Sequence, residues 1–343
     1  MTDIPAPAKR FRVAAMTKFS RYGLIVTGVV VLALIAGPLW LGRAQMRLMV
    51  EICTLLTLAQ MWNMLAGYAG LVSVGQQAFV GLGSYAFLAF AVFLGVPPLL
   101  AIPLAGLAAA ILAIPTAALV FRLKGAYFAI GTWVAAEVYM LVFAQLSVFG
   151  GGSGMSLPIE VVRGVAQDAG TREAVTYWIA LGLAVGAIAL VYTLLRSRYG
   201  LALAAIRDSE PAAASLGVDT ARAKYVVYVM AAFVTGLAGA LVLLSNLRVS
   251  PDAAFSVMDW TAYVIFIVVI GGVGRIEGPI VGTIVFFLLR GLLSDLGSAY
   301  LIILGLIAVG VMLVAPRGLW GLAVSKFGVE LFPIQRRLDT SPR

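Results

Sequence analysis

Apolar runs long enough to cross a lipid bilayer recur along nearly the whole of this chain, and that recurrence decides its fold class before any motif is read. A spanning helix needs about 20 apolar residues to cover a hydrocarbon core of about 30 Å. Runs near that length, bounded by polar or glycine-rich breaks, fall at 23–41, 47–66, 78–96, 99–121, 125–147, 173–195, 225–247, 260–272, 279–296 and 300–315. The 260–272 run is short and 67–83 is interrupted, so the count carries a margin of one or two. A mean hydropathy of +1.04 and a charged fraction of 11% belong to a chain whose main solvent is lipid. The expectation is an all-α polytopic membrane protein of about ten transmembrane helices.

Charge placement orients these spans. Cytoplasmic loops are enriched in Lys and Arg, and with the N-terminus inside about three-quarters of the 24 basic residues fall on inward segments. Both termini are then cytoplasmic. The organisation is a tail over 1–22, a transmembrane domain over 23–316 and a second tail over 317–343. Inside that domain, the loop 196–224 faces the cytoplasm and a glycine-loaded loop, 147–173, faces outward as a flexible cap or re-entrant turn. The basic run AKRFRVAAMTKFSR reads as a retained tail, since no small-residue cleavage site clearly follows it. The net charge of +9 flanks membrane spans, which favours contact with lipid and argues against nucleic acid.

The chain lacks chemistry for catalysis. It has no histidine and one cysteine, Cys53, in an apolar run, so disulfides, metal sites and a convergent acid–base set are not expected. No cofactor is implied.

Three segments stand out. In GYAGLVSVGQQAFVGLGSYAF, 67–87, five glycines surround Ser73, Gln76 and Gln77; they serve either close helix packing or a broken helix along a solute path. In RLKGAYFAIGTWVAAEVYM, 122–140, Tyr127, Thr132 and Glu137 follow a basic anchor, and Glu137 sits past mid-bilayer, in a functional or a purely hydrogen-bonding role. Glu51, four residues after Arg47, is expected to form an ordinary helical ion pair with it. In VVIGGVGRIEGPIVGTIVFFLLRG, 268–291, Gly271, Gly272 and Gly274 lack the Lys-Ser/Thr of a phosphate loop, which leaves a tight inward hairpin.

The segment RDSEPAAASLGVDTARAK, 207–224, is polar in an otherwise apolar chain. Ser209 can cap a short helix, Pro211 suits its first turn and Gly217 its end. Asp208 and Glu210 place negative charge at the positive helix terminus. Ala212, Ala213 and Ala214 keep the rod slim, and Leu216 offers an apolar contact. Such a rod fits another protein's groove; it also fits a solvated connector between spans.

With these blocks in order, the chain resembles permease subunits of bacterial ABC importers, in particular the branched-chain amino acid permease family. The resemblance covers about 45–322 and is carried by YGLALAAIRDSEPAAASLGVDTARAKYVVYVMAAFVTGLAGAL, GYAGLVSVGQQAFVGLGSYAF, LKGAYFAIGTW, GGVGRIEGPIVGT and APRGLWGL. It implies a multi-pass protein of the bacterial inner membrane working with cytoplasmic ATP-binding subunits, a second homologous permease and a periplasmic solute-binding protein. It further implies that 209–217 is a coupling helix, with Arg207, Asp208, Ser209, Glu210, Ala212, Ala213, Leu216 and Gly217 as the ATPase-coupling set. Glu210, Ala212, Ala213 and Gly217 follow the family's pattern there with one residue inserted, and its downstream I-x-L-P element is absent. Ser73, Gln76, Gln77, Tyr127, Thr132 and Glu137 are the candidate pathway residues. The implied solute is a branched-chain amino acid, with urea, amides or aromatic acids as other solutes of the same family. An ion-coupled transporter or channel is the competing reading, for which Glu137 and Asp295 would be the membrane-embedded acids.

Overall fold

The structure, a computed structural model, describes residues 12–14, 18–293, 297, 299–315, 317–327, 331–332 and 337–339. Asp295 lies outside the described residues. In chain order the helices are α1 (Lys18–Ile35), α2 (Arg43–Asn63), α3 (Gln76–Leu88), α4 (Pro98–Val120), α5 (Ala126–Gln145), α6 (Ile159–Val165), α7 (Ala169–Arg196), α8 (Arg198–Asp208), α9 (Glu210–Ser215), α10 (Thr220–Asn246), α11 (Pro251–Ala254), α12 (Tyr263–Gly271), α13 (Glu277–Leu293), α14 (Ala299–Val314) and α15 (Gly318–Phe327). Four short strands complete the described chain: β1 (Arg12–Ala14) pairs with β4 (Arg337–Asp339), and β2 (Met155–Ser156) with β3 (Arg248–Val249).

Among the described residues, eight helical stretches are long and apolar enough to cross a membrane: Arg43–Tyr68, Gln76–Phe93, Pro98–Val120, Ala126–Gln145, Ala169–Arg196, Thr220–Asn246, Pro251–Gly271 and Ala299–Lys326. The sequence suggests about ten. The two others fall short for different reasons. Among the described residues α1 shows an apolar run over Ile25–Ile35, and α13 has 17 residues, or about 26 Å at roughly 1.5 Å per residue.

Small residues let the central helices meet at backbone distance. In α4, Ala101, Ala105, Ala109, Ala113 and Ala117 recur every fourth residue, and all are fully buried. That spacing puts them on one face, against which α10 packs. Lipid supplies no hydrophobic drive between helices, so association rests on close van der Waals fit. At the α3–α10 crossing Gly83 leaves no room for a methyl, whose carbon would lie 2.6 Å from Gly236 Cα. Helix α2 lies against α7 and α10. At the periphery, α1, α5 and α14 carry exposed apolar faces, including Val29, Ile130, Leu141 and Leu306.

The loop 147–173 folds against the bundle through short turns. Gly150, Gly151 and Gly154 take left-handed φ of 82°, 56° and 72°, a conformation that glycine adopts without a Cβ clash. These turns bring Phe149 against Tyr85 at a ring separation of 5.4 Å, and β2 onto β3. Helix α6 packs on α4, and Asp168 caps α7 by accepting the Thr171 N–H at 2.9 Å.

Candidate functional site

The glycines of 67–87 divide between a break in the helix and close helix packing. After α2 the chain runs through a π-helical turn, Met64–Tyr68, and non-helical backbone follows up to Gly75. Gly70 has φ 68°, the conformation that ends the turn. Unwound backbone in a membrane bundle must be satisfied by protein, and here it is. Val74 donates its N–H to the Thr132 hydroxyl at 3.0 Å, Trp62 donates Nε1–H to the Ser73 carbonyl at 2.7 Å, and Leu71 donates to the Leu65 carbonyl at 2.9 Å. Further along, Gly81 and Gly83 serve packing, against Phe255 and Gly236.

Four of the six candidate pathway residues meet at this break. Ser73, Gln76, Gln77 and Thr132 are all buried. Gln76 Nε2 donates to the Leu58 carbonyl at 2.8 Å. Gln77 Oε1 accepts from the Thr261 hydroxyl at 2.5 Å. Gln76 Oε1 and Gln77 Nε2 have no hydrogen-bond partner among the described residues, so each amide keeps spare polar capacity in the interior. Tyr127 and Glu137 stand apart on the exposed side of α5. Tyr127 is 72% exposed, and the half-buried Glu137 accepts the Trp133 indole N–H at 2.9 Å, one turn away on its own helix. Thr132 lies about 9 Å along α5 from its first residue at roughly 1.5 Å per residue, so the cluster sits toward one end of the bundle.

At that same end lies the polar insert, folded as the sequence suggests. Helix α9 starts at a Ser209 cap, whose hydroxyl accepts the Ala212 N–H at 3.4 Å, with Pro211 in the first turn. It stops at Gly217, with φ 84°. The Gly217 N–H reaches the Ala214 carbonyl at 3.0 Å and Val218 reaches Ala213 at 3.1 Å, closing the last carbonyls. Lys224 anchors the start of α9 to α10 through Glu210 at 2.6 Å. The coupling candidates divide. Asp208, Ser209, Glu210, Ala212 and Gly217 are exposed and Leu216 is 82% exposed. Ala213 turns inward against Ile206 and Ala223. Arg207 reaches back into the bundle and donates to the Gly67 carbonyl at 3.3 Å.

That last bond belongs to a junction that the sequence reading missed. The hairpin between α12 and α13 is tight, as expected, and two amides of α2 grip it. Gln60 Nε2 donates to the Ile276 carbonyl at 2.8 Å. Asn63 uses both ends of its amide, giving to the Arg275 carbonyl at 2.8 Å and accepting from Gly274 N at 2.8 Å. Gly67, in the π turn, meets Gly274 at backbone distance. The available signal was a pair of amides three residues apart inside an apolar helix, hence on one face. On the far side of the hairpin, Glu277 accepts the backbone N–H groups of Leu331 at 3.1 Å and Phe332 at 2.9 Å.

A second expectation is corrected at the other end of the bundle. Arg47 and Glu51 do not pair with each other. Arg47 instead bonds Glu173 of α7 at 2.6 Å, and Glu51 bonds Arg290 of α13. Partners on neighbouring helices lie closer than the i,i+4 neighbour, so the charges tie three helices together. Among the described residues no group of His, Cys, Asp or Glu is placed to hold a metal ion.

Comparison with known proteins agrees with this architecture. No solved structure matches the chain. It is 29% identical over 318 residues to the high-affinity branched-chain amino acid transport system permease protein LivM of Salmonella typhimurium, covering 86% of this chain and 74% of the relative. The protein of the same name from Escherichia coli matches to the same extent. A probable branched-chain amino acid transport permease protein LivM from Methanocaldococcus jannaschii is 26% identical over 174 residues, half of this chain and 49% of that relative. The family described as branched-chain amino acid transport system / permease component matches residues 45–316. The chain is therefore a membrane permease and not an enzyme, and it belongs to the branched-chain amino acid transport permease family.

Proposed function

We propose that this chain is the membrane-spanning subunit of an ATP-driven importer that carries branched-chain amino acids across the bacterial inner membrane. Its partners are cytoplasmic ATP-binding subunits that dock on α9, a second homologous permease and a periplasmic solute-binding protein. The observation that carries this reading is the connection of α9: an exposed, capped, slim rod ending in Leu216, with Arg207 just before it bonded to the π turn beside the broken helix. Movement of the rod is thereby transmitted to the segment where Ser73, Gln76, Gln77 and Thr132 converge. Such switching needs the partner to favour one conformation by a few kcal/mol.

Exposure of α5 supports the second permease. A carboxylate near mid-depth is costly against lipid, and a subunit laid over Tyr127 and Glu137 would enclose both in a shared path. The test is uptake of leucine into proteoliposomes. Uptake that requires ATP and the docked ATPase supports the reading; uptake driven by a proton or sodium gradient without ATP removes it.

A further inference from the structure

At the end of the bundle away from α9 is a cavity of about 810 Å³, within the usual range of about 300–1,000 Å³ for a small-molecule site. It lies among the starts of α2, α7 and α14 and the ends of α10 and α13. Leu55 and Leu243, almost fully buried, contribute apolar surface. Charges of both signs line it as well. Two of these groups keep unused hydrogen-bonding capacity. Arg172 makes no side-chain hydrogen bond or ion pair among the described residues. Its neighbour Glu173 gives one oxygen to Arg47 at 2.6 Å, while the other, Oε2, is buried with no hydrogen bond and only Arg43 at 3.8 Å. A buried carboxylate oxygen left without a donor calls for one.

We infer that this cavity is a binding site for a zwitterionic α-amino acid with an apolar side chain, held inside a single permease subunit. The ammonium group of the solute donates to Glu173 Oε2, its carboxylate takes the Arg172 guanidinium, and its aliphatic part rests on Leu55 and Leu243. A zwitterion satisfies both groups at once without adding net charge to the site. The inference rests on the function proposed above and adds a second station for the solute, distinct from the broken helix.

The test uses the importer purified with its co-purifying subunits in nanodiscs of phosphatidylglycerol, with or without phosphatidylethanolamine, and radiolabelled leucine as probe. The expected result is saturable leucine binding, weakened at least tenfold by Arg172→Gln. Glu173→Gln should weaken it similarly, and so should replacing leucine by leucinamide or 4-methylpentanoate, each lacking one charge. Phosphatidylethanolamine should not compete. Leucine binding indifferent to both substitutions overturns the site, as does displacement of leucine by phosphatidylethanolamine, which would mark the cavity as a lipid headgroup pocket. The same purified subunits, reconstituted into proteoliposomes, are assayed for ATP-driven leucine uptake. Uptake with no dependence on Arg172 or Glu173 sinks this site and leaves the importer standing, whereas absence of any leucine uptake sinks the importer reading itself.

Discussion

Arg207, three places before the first residue of α9, donates its guanidinium N–H to the carbonyl of Gly67, 140 positions earlier in the chain, at 3.3 Å. That carbonyl lies in the π-helical turn Met64–Tyr68, and π turns free backbone groups that regular helix would consume. The bond thus links the start of α9 directly to the π turn at the end of α2. Arg207→Ala should leave the ATPase bound but reduce leucine transport roughly tenfold, the ratio that about 1.4 kcal/mol of lost coupling produces. Co-purification of the ATPase alongside measured uptake separates this from a docking defect; unchanged uptake would remove the link.

Docking should depend on the exposed end of α9. Leu216 is 82% exposed, and apolar anchors seated in a partner's pocket supply a large part of interface energy. Leu216→Asp should abolish co-purification with the ATPase while the permease still inserts. Gly217→Pro should act the same way, because a ring fixed near φ −65° cannot take the φ of 84° that ends the helix. Glu210→Lys sets a second ammonium beside Lys224, now 2.6 Å from the Glu210 carboxylate, and should stop transport. Normal uptake in all three would place the ATPase contact elsewhere.

The rod was legible in the sequence because capping is local: Ser209, Pro211 and Gly217 specify a start and a stop within nine residues of chain. The helix break at 67–75 was half legible. Its glycine density announced an irregularity, but whether Gly75 and Gly83 break or pack depends on Thr132 and Gly236, which are distant in sequence. The Gln60–Asn63 grip on the 274–276 hairpin was not read, since an amide in an apolar run does not name its partner. The span count differs at α1 and α13, within the margin of one or two that the sequence carried, because a hydropathy window does not fix where a helix starts and stops.

Close approach of α3 and α10 gives a packing prediction. A methyl at position 83 would place its carbon 2.6 Å from Gly236 Cα, and backbone cannot move aside as a side-chain tip can. Gly83→Ala should destabilise the bundle by about 1–3 kcal/mol, read as a lower melting temperature in detergent. Gly182→Ala on α7, where no atom lies within 4 Å of the added carbon, should change little. Equal effects at the two sites would refute the contact.

The cap of α7 predicts a pH dependence. The Thr171 backbone N–H, bonded to the Asp168 carboxylate, holds its pKa below the ordinary value. A carboxylate whose folded pKa is depressed adds stability above its unfolded pKa, and that stability is lost as pH falls through the folded pKa. Protection factors in the first turn of α7, corrected for the intrinsic exchange rate at each pH, should therefore fall below pH about 4, the ordinary aspartate range. Asp168→Ala should be poorly protected at every pH, and a wild-type profile flat through this window would contradict the cap.

Whether Glu51 belongs to Arg47 or to Arg290 can be settled by coupling energies. An i,i+4 pair would tie charges within α2 alone, whereas the observed bonds run from Glu51 to α13 and from Arg47 to α7. Both side chains of the Glu51–Arg290 pair are about 40% exposed, so solvent screening holds its worth to about 1 kcal/mol or less. A double-mutant cycle of Glu51→Gln with Arg290→Gln should give a coupling near the upper part of that range in low salt, shrinking as ionic strength rises. The matching cycle of Arg47→Gln with Glu51→Gln should give close to zero, because neither charge spends its bond on the other. A larger coupling in the second cycle than in the first would restore the intrahelical pair and detach α13 from the start of α2.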